Sequence, residues 1–342
     1  MRLALHAFVR MTLLCFIAAT AGLGAAHRTF SVEERLSVLN RAAVWESRDP
    51  GALDVQAGPD GPGSFPPEAV VSCEYAGATT TGRSPKFNCA ITKTDRVKVK
   101  YGRENGEVYS EVAATRLLWL LGFYADRMYP VRVMCHGCPK KIGGTPTSDK
   151  DVVEVPFASI EREMKGIAVE LEHRRGWEWG ELDIARGSTR AQRDALKLVT
   201  VMLQHTDSKS EQQRLLCPGD DCDHPVAMVN DLGLTFGRAT LYNRNSASSV
   251  NLAEWSRTPV WEGKTGCVGN ISKSYTGTLD RPRIGEEGRA FLAERLQRLT
   301  DAQIHDLFAV ARFDKRRGDS IDAWVAAFKE KRDAIVSRRC DN

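Results

Sequence analysis

The chain contains only one long apolar run, and no Lys/Arg run in it is interleaved with aromatic residues. The first shortage argues against a polytopic membrane protein. The second, with a net charge of only +4, gives no ground for a nucleic-acid partner. There is no G-x-S-x-G, so nothing points to a serine hydrolase of that type. His136, His173, His205 and His224 form no i, i+4 pair, which argues against a histidine metal site on a helix. No internal repeat is visible. Hydrophobic residues make up 42% and charged residues 27%, so a folded globular chain with a real core is expected.

The one apolar run lies at the N-terminus. Arg2 and Arg10 flank a start that leads into Met11–Ala26, rich in Leu and Ala and ending in small residues. A basic segment, an apolar core and small residues at its end describe a signal peptide over residues 1–26. The run is about 16 residues long, against the roughly 20 a membrane span needs, so no stable span is expected after cleavage. An uncleaved signal anchor is the alternative. The expected location is exported: periplasmic, cell-envelope or secreted.

Cys15 lies in that leader, leaving Cys73, Cys89, Cys135, Cys138, Cys217, Cys222, Cys267 and Cys340. An even number in an exported chain favours disulfides. Cys135-His-Gly-Cys138 and Cys217-Pro-Gly-Asp-Asp-Cys222 each also resemble half of a zinc knuckle, so zinc held by those four thiolates stays open.

Residues 27–68 contain a helical candidate, Val32–Trp45, and then dense Pro and Gly, which read as an N-terminal extension or linker. From 69 onward the pattern turns β, with strands at Ala69–Cys73, Lys86–Ile91 and the alternating Arg96–Tyr101. Gly77…Gly82-Arg-Ser84 between the first two is rich in glycine and hydroxyls but lacks G-x-G-x-x-G spacing. A helix is expected over 107–121, a strand over Tyr129–Met134, and a long helix beginning near Ser188 as its cap and ending at Gln204-His205. Strands Gln213–Cys217 and Val226–Asn230 follow, and helices Glu286–Leu299, Asp301–Arg312 and Ile321–Val336 complete the chain. The expected class is α+β, with a β-rich part over 69–135 and a mainly helical part over 136–342.

The chemistry concentrates in one stretch. Asp207 follows the end of a buried helix, Gln212 begins a strand five residues on, and Asp231 follows the next strand ahead of Leu-Gly. Phosphoryl transfer needs an acidic residue to orient an acceptor hydroxyl, and oxygen ligands to hold Mg²⁺ across phosphates. Loops flanking a hairpin can bring both aspartates to one cleft. Upstream, Lys98 and Lys100 share one face of a strand, and Glu111 begins the leucine-rich helix. A strand lysine held by a helix glutamate is how kinases aim an ammonium at phosphates. Lys100 stands at the lysine position of the V-A-I-K pattern, and Lys98 stays open.

Ser110-Glu111-Val-Ala-Ala through Leu121-Gly-Phe123 resembles a helix of the secretory-pathway kinases related to the Golgi casein kinase. His205-Thr-Asp207 through Gln212 resembles their catalytic loop and that of the phosphatidylinositol kinases, and Asn230-Asp231-Leu-Gly through Phe236-Gly237 resembles their metal-binding segment. The resemblance implies a two-lobed kinase-like fold with a β-rich N-lobe and a mainly helical C-lobe. It implies Lys100 as the phosphate-binding lysine, Glu111 as its partner, and Asp207 as the base. Asp231 would be the principal metal ligand and Gln212 a further one, standing where those enzymes carry asparagine or glutamate. Gly77, Gly82 and Ser84 would then border a nucleotide, ATP or another, bound with Mg²⁺ or Mn²⁺. The activity implied is transfer of a phosphoryl group to a protein, lipid or sugar hydroxyl. A catalytically weak pseudokinase and a disulfide-stabilised envelope protein of unrelated fold, in which these residues would be scattered, are the alternatives.

Overall fold

The fold is that of a computed structural model, which describes residues 29–79, 82, 84–139, 141–142, 145–146, 151–238, 250–272 and 277–341. The expected signal peptide lies outside the described residues. Among those described, no helix is long and apolar enough to cross a membrane.

The class is α+β. Five strands close into a barrel in the order β1 (Ala69–Ala78), β2 (Lys86–Ala90), β3 (Arg96–Tyr101), β7 (Val152–Arg162) and β4 (Arg127–His136). Every pairing is antiparallel except β1 with β4. Alternation sorts the side chains: Val97, Val99 and Tyr101 of β3 join Phe87, Tyr129, Val131, Val133 and Ile160 in the barrel core, so Lys98 and Lys100 face outward. Two short strands, β5 (Lys141–Ile142) and β6 (Thr145–Pro146), form a hairpin before β7.

Strand β7 is not among the strands expected from the sequence, and it carries the barrel past the expected boundary at 135. Pro156 disguises it, because proline is normally excluded from an interior strand. The β4–β7 register shifts between Val131 and Val133, opposite Ala158 and Val155, and that bulge accommodates the proline.

Helix α2 (Glu107–Leu121) is buried on nearly every side, between the barrel and the remaining helices. This is the setting that a helix apolar all round requires. Gly122 ends it in the left-handed conformation. Helices α1 (Val32–Arg41), α3 (Trp179–Leu182), α4 (Arg190–Leu203), α5 (Leu252–Arg257), α6 (Glu286–Gln297), α7 (Asp301–Val310), α8 (Asp314–Arg317) and α9 (Ile321–Ser337) complete the described helices. A small sheet of β8 (Ile167–Ala168), β9 (Gln213–Cys217) and β10 (Val226–Val229) lies among them. The cap of α4 is Thr189, reciprocally bonded with Gln192. Ser188 instead bonds to Val44 N and Ala42 O, which corrects the expected cap.

The segment expected as a linker is a bound strap. Arg116 of α2 donates to the carbonyls of Val55 and Gln56, Arg127 to those of Asp60 and Pro62, and Arg162 to that of Gly63. Tyr129 Oη donates to Pro59 O. Gly58 and Gly63 have positive φ, and a Cβ on either would sit 2.7 Å from a guanidinium atom of Arg116 or Arg162. Proline and glycine mark irregular backbone here, but arginines satisfy its carbonyls.

The eight described cysteines pair as Cys73–Cys89, Cys135–Cys138, Cys217–Cys222 and Cys267–Cys340. Each half-knuckle therefore closes on itself, and the four-thiolate zinc alternative is not built.

Candidate active site

Lys100 lies near the end of β3 on the outer face of the barrel, and a five-residue turn leads from that strand into α2. Asn105 holds that turn, donating to the carbonyls of Pro85 and Tyr101 and accepting from Glu107 N. The short turn is why a lysine and a glutamate only 11 residues apart can meet: Lys100 Nζ lies 2.5 Å from Glu111 Oε1. Glu107, one turn earlier on the same helix face, lies 3.1 Å from the same ammonium, and Asp231 lies 3.2 Å from it. Three carboxylates thus surround one cation that is 2% exposed.

Asp231 comes from the loop that follows β10. It has a positive φ of 49°, a conformation aspartate tolerates better than most residues, and its N–H donates to Asn230 Oδ1. The segment after it is anchored twice. Thr206 N donates to Leu234 O and Phe236 N donates to Leu203 O, tying it to the exit of α4. The Phe236 ring then sits within 5.2–6.3 Å of Trp255, Phe308, Phe313 and Trp324. Gly233 is required by crowding, since a Cβ there would meet Glu107 Cγ at 2.5 Å.

Asp207 occupies the loop that leaves α4, with Lys209 Nζ 3.3 Å away. The Gln212 amide reaches both aspartates, at 2.7 Å from Asp231 Oδ2 and 3.5 Å from Asp207 Oδ2. Thr278 donates its N–H and hydroxyl to Ser208 O, buttressing the loop from behind. His205 is fully buried with neither ring nitrogen hydrogen-bonded. Burial pushes its pKa down to about 4, although Asp207 and Asp231 pull the other way.

The cluster's electrostatics follow from burial and crowding. Burial would lower the Lys100 pKa, but the charges of Asp231, Glu111 and Glu107 outweigh it and raise it well above the usual lysine value. Burial pushes Glu111 well above the carboxylate range, against the opposing charge of Lys100. Burial would also raise Asp231, but Lys100 and a hydrogen bond from Glu111 hold it well below that range. One ammonium cannot neutralise three carboxylates, so a proton retained on Glu111 relieves the excess. A divalent cation could do the same. Oxygens of Glu107, Glu111 and Asp231 all lie within 4.8 Å of one another, a hard donor set suited to Mg²⁺ or Mn²⁺. Turning the Gln212 amide over would add its oxygen to that set; which end faces Asp231 is an assignment from the hydrogen-bond pattern.

Lys100, Glu111, Asp207, Gln212 and Asp231 therefore come together as one constellation. Lys98 does not join it: its ammonium binds Glu161 at 2.9 Å on the barrel wall. Ser84 does, donating to Glu107 Oε2 at 2.7 Å. Gly82 lies over Lys86, where an added Cβ would be 2.6 Å from Nζ. Gly77 instead supplies a bulge in β1, where the register with β2 shifts between Tyr75 and Ala78. Sequence reasoning missed Glu107 and Lys86. The i, i+4 spacing to Glu111 could have flagged the first. The second pairs directly across from Lys100 in the sheet, a relation no local motif encodes.

No protein-family model and no curated protein matches the chain. Among solved structures, the chain is similar to a crystal structure of a Helicobacter pylori proinflammatory kinase, CtkA. The identity is 10% and the TM-score 0.42, over 77% of this chain and 99% of that one. A likeness that distant carries no argument about function, for which the side chains themselves are the ground.

Proposed function

We propose that this chain is an exported atypical kinase, transferring a phosphoryl group from ATP or another nucleotide to a protein, lipid or sugar hydroxyl with Mg²⁺ or Mn²⁺. The observation that carries the reading is the convergence of Lys100, Glu111 and Asp231 within hydrogen-bond reach, with Gln212 joining Asp231 to Asp207. Lys100 would contact phosphate and Asp231, Gln212 and Glu107 would hold the metal, which neutralises charge on the transferring group. Asp207 would accept or orient the acceptor's hydroxyl proton. The barrel and the helical part are then the two lobes of a kinase-like fold, with the cleft between α2 and the 231–237 segment. The apolar leader and four disulfides favour export.

The test is Mn²⁺- or Mg²⁺-dependent ATP hydrolysis and autophosphorylation by the mature chain, against Asp231→Ala. Metal-dependent turnover abolished by the substitution supports the reading. If neither nucleotide nor metal shifts the melting temperature and no turnover occurs, it fails. The pseudokinase reading draws on one observation: the group beside Asp231 is the neutral amide of Gln212, where the kinases it resembles carry asparagine or glutamate. It predicts nucleotide-dependent stabilisation that ignores the metal, without turnover.

A further inference from the structure

Lys86 begins β2 and stands directly opposite Lys100 of β3 in the antiparallel register, so both side chains leave the same outer face of the barrel. Lys86 is also nine-tenths buried, and among the described residues no carboxylate lies within ion-pair distance of it. Lys100 differs in having three carboxylates within 3.2 Å. An anion approaching Lys100 therefore meets a cation already neutralised, whereas Lys86 still lacks a direct partner. Its ammonium lies beneath Gly82, at a spot a side chain there would occupy. Its field also reaches the cleft, where its charge helps hold Asp231 ionised.

A buried ammonium without a direct ion-pair partner is costly in the empty protein, and a bound polyanion would supply that partner. We propose that Lys86 is a second polyphosphate-binding cation, so that the phosphate chain of the nucleotide is held between Lys86 and Lys100. The proposal rests on the phosphotransferase reading and adds the principal anion contact to it.

The experiment is calorimetric binding of Mn²⁺–ATP, Mn²⁺–tripolyphosphate and adenosine to the mature chain, to Lys86→Met and to Lys86→Arg. Lys86→Met is expected to weaken ATP and tripolyphosphate about 10- to 100-fold, as loss of one charge-assisted contact should. Adenosine affinity should not move, and Lys86→Arg should recover most of the loss. Without ligand, Lys86→Met should melt close to the parent, because no direct ion pair is removed. Unchanged ATP affinity in Lys86→Met, with the parent binding normally, overturns the Lys86 assignment and leaves the kinase reading standing. Equal weakening of adenosine also overturns it, marking a structural effect. A parent chain that binds neither polyphosphate overturns both.

Discussion

Replacing His205 by phenylalanine should flatten the acid side of the protein's stability profile. His205 is neutral in the fold, with its pKa pushed from 6.5 to about 4 by burial. In the unfolded chain it titrates normally. Between these values the unfolded state binds the extra proton, so stability falls as pH falls through that window and is fully present above it. For pKa values of 6.5 and about 4, the loss between pH 7.5 and pH 5 is about 2 kcal/mol. A phenylalanine carries no such term. Its packing cost, whatever its size, is the same at every pH, so the reading lies in the difference between pH values. Losing two unpartnered ring nitrogens also removes a desolvation penalty. Urea denaturation followed by tryptophan fluorescence at several pH values from 7.5 to about 5 would measure both proteins. The gap between His205→Phe and the parent should shift in favour of the variant by about 2 kcal/mol over that range. Parallel curves would refute the reasoning and place a protonated or hydrogen-bonded imidazole beneath the Asp207 loop.

Lys100→Met leaves Glu107, Glu111 and Asp231 without their cation and should cost about 3–5 kcal/mol at neutral pH, a deficit that shrinks on acidification as the carboxylates protonate. Glu111→Gln imitates the protonated carboxyl that burial already favours, so denaturant unfolding should show less than half that cost. Removing Cys267–Cys340, whose partners are 73 residues apart, should cost about 4 kcal/mol, against about 2 for Cys135–Cys138, 3 residues apart; paired serine substitutions read by urea midpoints would rank them. Arg116→Met strips donors from the carbonyls of Val55, Gln56 and Met128 and should cost about 3 kcal/mol, with limited proteolysis appearing within 49–66.

Local pattern was enough wherever a side chain's role depends on near neighbours in the chain. The bounds of β3 and α2 follow from alternation, a dense apolar run and Gly122, and the structure keeps both. The cap of α4 was also decidable, since Thr189 has Gln192 three residues on and Ser188 has only Ala191. Roles set across the sheet were not decidable in that way. Lys98 and Lys100 share a face, are two residues apart and carry the same charge, so the V-A-I-K pattern favours Lys100 without closing the choice. What separates them is Glu161, which holds Lys98 to the barrel wall and leaves Lys100 to face α2 and Asp231. Glu161 lies on β7, the strand concealed by Pro156. Excluding Lys98 thus required the strand that composition hid, and cross-strand register likewise is what sets Lys86 opposite Lys100. In a closed barrel, which residues of a strand face the cleft follows from alternation, but which of them keeps its charge available is decided by strands remote in sequence.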